Sequence, residues 1–124
     1  MKKILIVDDS PTIRRMVTAS LRNLQDAVFE EAGNGLEAIE NVSRSRIDLM
    51  ILDLNMPGMH GLEVLQFIRS HERYREILII VLTTKYDAAS RTAALAGGAS
   101  HFMTKPFEPS ALLAQVTRLL DERK

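Results

Sequence analysis

A chain of 124 residues suits one domain, spanning residues 1–124, and buries about two-thirds of the surface its unfolded form exposes. Sixteen basic residues balance sixteen acidic ones, which leaves no net positive field for a nucleic-acid backbone or an anionic membrane. The chain has no cysteine, so disulfides, thiolate catalysis and cysteine-based zinc sites are excluded and a reducing, cytoplasmic setting is expected.

The chain opens Met-Lys-Lys before apolar residues 4–7, and Asp8-Asp9 then interrupt a run too short for export or membrane insertion. Residues 4–7 read as a strand; Ser10-Pro11 cap and start a helix. Ile13, Met16, Val17, Leu21 and Leu24 form its buried stripe, leaving Arg14, Arg15 and Arg22 outside. Residues 27–32 are a weaker, more polar strand, and Gly33-Asn34-Gly35 turns into a second helix with Leu36, Ala38, Ile39 and Val42 inward. Residues 48–54 form an apolar strand that carries one carboxylate, Asp53, followed by turn formers from Asn55 to Gly61. Leu62, Leu65 and Ile68 begin a third helical stripe, and residues 77–82 are the most hydrophobic strand, ending at Thr83-Thr84. A short helix over 88–96 stops at Gly97-Gly98. A brief strand over 100–104, then Lys105-Pro106-Phe107, leads into a last helix with Leu112, Leu113, Val116, Leu119 and Leu120 inward.

Five strand-then-helix units imply an α/β fold: a five-stranded parallel sheet with helices on both faces. Strands one, three and four are continuously apolar, as doubly covered strands are, whereas strands two and five mix in Glu30, Glu31, Ser100 and His101 and read as edges. The order 2-1-3-4-5, that of flavodoxin-like sheets, satisfies this pattern. Ligands in such sheets bind beyond the carboxyl ends of the strands where the winding reverses, between strands one and three.

That edge collects Asp8 and Asp9, Asp53, Thr83 and Lys105. Three crowded carboxylates repel unless a hard cation neutralises them, and an oxygen-only set with open positions suits Mg²⁺. The chemistry expected there is phosphoryl transfer, with Asp53 as nucleophile and Lys105 and the Thr83 hydroxyl holding the incoming oxygens.

Four motifs, Ile6-Val7-Asp8-Asp9-Ser10, Leu52-Asp53-Leu54-Asn55-Met56-Pro57-Gly58-Met59-His60-Gly61, Leu82-Thr83-Thr84 and Lys105-Pro106-Phe107, carry a resemblance to the receiver domains of two-component response regulators. The similarity runs from Lys2 to about Leu120, and its layout is that of stand-alone, CheY-like receivers. The resemblance implies that Asp53 accepts phosphate from a sensor histidine kinase. It places Asp9, Asp53 and the Asn55 backbone carbonyl on Mg²⁺, with Asp8 reaching it through water, and a cis bond before Pro106. It also implies a switch in which Thr83 moves toward the phosphate while Phe102 turns inward. The surface of the fourth helix, fifth strand and fifth helix is then the output. Asn55 and Lys85 occupy places that tune phosphate lifetime. His60 stands where relatives commonly carry Asp, an exchange expected to affect a turn, and Phe102 lacks the hydroxyl of the Tyr found in many relatives.

Each motif has a plainer reading. Asp8-Asp9 and Thr83 can cap helices, Lys105 can be solvated, and Phe102 can be edge-strand packing. His60, His71 and His101 are scattered and read as surface residues, and Met56 and Met59 as loop packing. Arg14-Arg15 is a solvated face or a dock for an acidic kinase surface. The expected function is a phosphorylation-controlled module, catalysing only its own phosphotransfer and dephosphorylation and hence no enzyme in the usual sense. It acts as a monomer on a motor switch, a phosphotransfer protein or an enzyme, with no direct nucleic-acid or membrane partner. The alternatives are a receiver excised from a larger regulator or phosphorelay intermediate, and a Mg²⁺-dependent phosphohydrolase working through an aspartyl phosphate. The last is disfavoured by the missing Asp-x-Asp and substrate cap.

Overall fold

In the computed structural model, described here for residues 1–84 and 88–123, strands and helices alternate strictly. The elements are β1 (Lys2–Val7), α1 (Pro11–Ser20), β2 (Ala27–Ala32), α2 (Gly35–Arg44) and β3 (Leu49–Leu52). They continue with α3 (Gly61–Ser70), β4 (Leu78–Thr83), α4 (Ala88–Ala96), β5 (His101–Thr104) and α5 (Pro109–Glu122). The strands form one parallel sheet in the order β2-β1-β3-β4-β5.

Successive strand residues point to opposite faces, and the core divides accordingly. Leu5, Val7, Met50, Leu52, Ile79 and Val81 pack beneath α2, α3 and α4. Ile4, Ile6, Leu49, Ile51, Ile80 and Leu82 pack beneath α1 and α5 with Val17, Leu21, Leu112 and Val116. Doubly covered β1, β3 and β4 are the apolar strands, and the partly exposed edges β2 and β5 are the mixed ones. No described helix is long and apolar enough to cross a membrane.

Several local expectations need correction. β3 spans four residues rather than seven: Asp48 precedes it in a bend, and Asp53 and Leu54 already lie in the segment leading to α3. Met16, expected inward, is 49% exposed; Ile13 and Val17 carry the stripe that meets the sheet, while Met16 sits on the flank beside Phe107 and Pro109. Leu36, also expected inward, is 61% exposed in the first turn of α2, where Gly35, not Leu36, packs against Met59 and Val64. Arg14, expected in solvent, is drawn into the carboxyl edge, as described below.

Candidate phosphoacceptor site

The sheet's hydrogen-bond ladder runs on past the strand ends and fixes the backbone of the site. The Asp8 N–H donates to the Ala32 carbonyl (3.1 Å), the Asp53 N–H to the Val7 carbonyl (3.0 Å), and the Lys105 N–H to the Thr83 carbonyl (2.9 Å). A side chain held this way is positioned by the most rigid part of the molecule rather than by a loop. Asp8 and Asp53 are each 3% exposed and Thr83 is fully buried, whereas Asp9 is exposed.

Carboxylate oxygens of Asp8, Asp9 and Asp53 lie within 4.8 Å of one another. The Lys105 ammonium, on the residue before a cis proline bond, sits 2.6 Å from Asp8 Oδ2 and 3.6 Å from Asp53 Oδ2. One ammonium against three carboxylates leaves two negative charges uncompensated within the cluster. An all-oxygen donor set with this excess fits Mg²⁺, a hard cation that takes carboxylates and keeps several waters. Burial pushes the Asp53 carboxyl above its ordinary range; the Lys105 ammonium and the Asn55 N–H pull it back, Asp8 adds to the rise, and a hydrogen bond from the Thr83 hydroxyl opposes it. The Asn55 N–H donates to Asp53 Oδ1 at 3.2 Å, so the turn after β3 also aims the carboxylate.

The loops around the cluster have their own local causes. Asp8 Oδ1 accepts from the Ser10 N–H (2.9 Å), and Ser10 Oγ caps α1 by accepting from Ile13 (3.2 Å). Gly58 takes φ +78°, and at Gly61 an added Cβ would lie 2.6 Å from Leu54 Cα and collide with the Asp53 carbonyl oxygen. Only glycine lets α3 start against the backbone that carries the nucleophile candidate. His60 is the N-cap of α3: its Nδ1 accepts from the Leu62 N–H (3.1 Å), and its own N–H donates to the Glu63 carboxylate (2.9 Å). Its expected effect on a turn is therefore a helix cap.

Asp8, Asp9, Asp53, Thr83 and Lys105 thus converge. Phe102 is packed inward in the core and 6% exposed, with the Arg91 guanidinium 5.9 Å from its ring centroid. The Asn55 side chain is exposed at the rim, and Lys85 lies outside the described residues. Arg14 is the residue that sequence reasoning misplaced. Its Nη1 donates to the Asp8 carbonyl and its Nε to Glu31 Oε1, both at 2.6 Å, so one guanidinium clamps the acidic loop to β2. No periodicity distinguishes it from Arg15; only the approach of β2 makes the difference.

A doubly wound sheet with three carboxylates, a hydroxyl and a lysine at its switch point defines a receiver of the CheY type. The chain belongs to the response regulator receiver domain family, whose profile matches residues 4–117. It is 39% identical over 111 residues to the chemotaxis protein CheY1 of Helicobacter pylori, covering 89% of this chain and 90% of the relative. It is 37% identical to the DNA-binding response regulator MtrA of Mycolicibacterium smegmatis, covering 93% of this chain but 49% of the relative. The solved structure of the chemotaxis response regulator CheY4 of Vibrio cholerae superposes with a TM-score of 0.86 at 36% identity, covering 95% of this chain and 98% of CheY4.

Proposed function

We propose that the chain is a single receiver unit, residues 1–124, that takes a phosphoryl group from a histidine kinase onto Asp53. The observation that carries the reading is the convergence of the buried Asp53 carboxylate with Lys105, Thr83 and two further carboxylates. An Asp53 carboxylate oxygen attacks phosphorus; the new O–P bond forms as the P–N bond to the donor imidazole breaks, and the departing nitrogen takes up a proton. The Lys105 ammonium pairs with a phosphoryl oxygen as charge arrives, and the Thr83 hydroxyl turns from the carboxylate to donate to another. Asp8, Asp9, Asp53 and the Asn55 carbonyl would hold Mg²⁺, which when bound supplies a hard positive charge that screens carboxylate from anionic donor. Water attack on the acyl phosphate returns the carboxylate, so the protein turns over only its own modification.

The added charge of about −1.5 to −2 acts on a pre-existing equilibrium. The Thr83–Asp53 hydrogen bond and the inward packing of Phe102 support a response in which the Thr83 hydroxyl leaves Asp53 for the phosphate, Phe102 is held inward, and the surface of α4, β5 and α5 is reshaped. Asn55 and Lys85 are placed to tune phosphate lifetime. Relatives named for chemotaxis, matched over nearly their full length, favour a stand-alone, cytoplasmic, monomeric receiver that signals to a motor switch; a phosphotransfer protein or an enzyme is the other class of target. The match to half of MtrA supports the second reading, a receiver from a longer regulator.

Intact mass after incubation with Mg²⁺ and a small phosphodonor tests the chemistry. The wild type gains one phosphoryl group, about 80 Da, and Asp53→Asn gains none. Equal labelling of both, or no labelling of the wild type, refutes it.

A further inference from the structure

The carboxyl edge carries the acidic cluster, and the opposite edge of the sheet carries the reverse charge. A cavity of about 420 Å³ opens there, between the end of α2, the loop after α3 and the end of α5. Arg44, Arg46, Arg73 and Arg123 line it, against only Asp48 and Glu76. It begins at Asp48, and along β3 that edge stands about 16 Å from Asp53.

Among the described residues, the donors of these four arginines find few partners. Among the described residues Arg46 makes only a 3.9 Å approach to Asp48, and the Arg73 guanidinium lies 5.7 Å from the Tyr74 ring centroid without a hydrogen bond. Among the described residues Arg44 donates to Asn41 Oδ1 at 3.4 Å and Arg123 to the Asp48 carbonyl at 3.5 Å. Arg69 provides the contrast. Its guanidinium donates to the carbonyls of Gly98 (2.8 Å), Arg75 (3.0 Å) and Ile77 (2.6 Å), and so pins the wall of the cavity to α3 and to the turn before β5. A frame built by one saturated arginine thus holds several unsaturated ones around a concavity. Guanidinium forks match phosphate oxygens two at a time, and the volume falls in the range of small-molecule sites rather than of a single bound ion.

We propose that this cavity binds a small phosphorylated molecule with adjacent phosphate groups, at a site separate from the phosphoacceptor. Arg44 and Arg73 take the phosphates from either side, Arg123 and Arg46 close over them, and the Tyr74 ring forms part of the floor. An acidic peptide presents the same sign of charge but spreads its carboxylates along an extended chain, which a cavity of this size does not follow.

Titration of ¹⁵N-labelled protein with inorganic pyrophosphate and with a nucleoside diphosphate, in chelator without Mg²⁺ and at constant ionic strength, tests this. Saturable amide shifts are expected over residues 43–48 and 73–77 and at Arg123. They persist in Asp53→Asn, and each of Arg44→Gln and Arg73→Gln weakens binding about tenfold or more, as loss of a charge-assisted pair should. Unchanged melting temperatures of these exposed-site variants exclude unfolding as the cause. Shifts that never saturate, that sulfate reproduces at equal concentration, or that survive when Arg44→Gln and Arg73→Gln are combined overturn the proposal. So does tighter binding of a glutamate-rich peptide than of either phosphate probe.

Discussion

At the scale of single residues, Arg14 shows how a side chain far from the chemistry in kind can be near it in space. Its guanidinium spans the Asp8 carbonyl and the Glu31 carboxylate with 17% of the side chain exposed. Hydrogen bonds to a charged group contribute more than neutral ones, so Arg14→Gln should cost about 1–2 kcal/mol in urea unfolding. Arg14→Lys should recover little of it, because one ammonium cannot reproduce the two divergent N–H directions. The amide resonances of Asp8 and Asp9 should shift in both variants. Asp8, Asp9, Asp53, Thr83 and Lys105 are all legible as candidates, since each is a polar residue at or just past the end of a strand-like run. Arg14 was not, because its role depends on a partner seventeen positions away, on β2 rather than on its own helix.

At the scale of elements, the start of α3 is the most demanding junction. Gly61→Ala would force its methyl into backbone around Asp53 and Leu54, with a loss of about 3 kcal/mol in chemical denaturation. His60→Ala should cost about 1 kcal/mol, the usual worth of a helix N-cap. β5 offers a pH signature. Burial, then the Arg118 and Arg91 charges, hold the His101 imidazole below its ordinary pKa of 6.5. The native state therefore disfavours the proton relative to the unfolded chain. The stability contribution is fully present above that value and declines as pH falls through it toward the lower native pKa. Melting temperature followed from pH 7.5 to 5 should fall more steeply in the wild type than in His101→Gln. The sequence places the end of α4 at Ala96, before Gly97-Gly98, where the structure has it. The expected strand 48–54 exceeds β3 by Asp48 before it and by Asp53 and Leu54 after it, the last because its apolar character persists beyond the residues paired with β1 and β4.

At the scale of the whole molecule, a charge total of zero conceals an acidic carboxyl edge and an arginine-lined amino edge. The acidic edge predicts linkage: a cation that binds only the folded state stabilises it, by about 2.7 kcal/mol at a hundredfold excess over its Kd. Melting temperature should rise on replacing chelator with excess Mg²⁺, and Asp9→Ala should remove most of the rise while leaving the fold intact. Phosphate response at the far surface should in turn depend on Phe102. Phe102→Ala opens a cavity in the core beneath α4, costing about 3–4 kcal/mol in unfolding, and should uncouple Asp53 phosphorylation from changes in α4 and β5 amide exchange.

Strand and helix sequence, the parallel sheet and its order, and the carboxyl-edge position of the three aspartates, the threonine and the lysine followed from the sequence. The reason is that hydrophobic periodicity and the contrast between doubly and singly covered strands are local records of burial. The exposure of Met16 and Leu36, the clamp by Arg14, the glycine-only contact at Gly61 and the arginine cavity came from packing alone. Each depends on which backbone arrives opposite a given residue, and that is set by how five separate units close on one another.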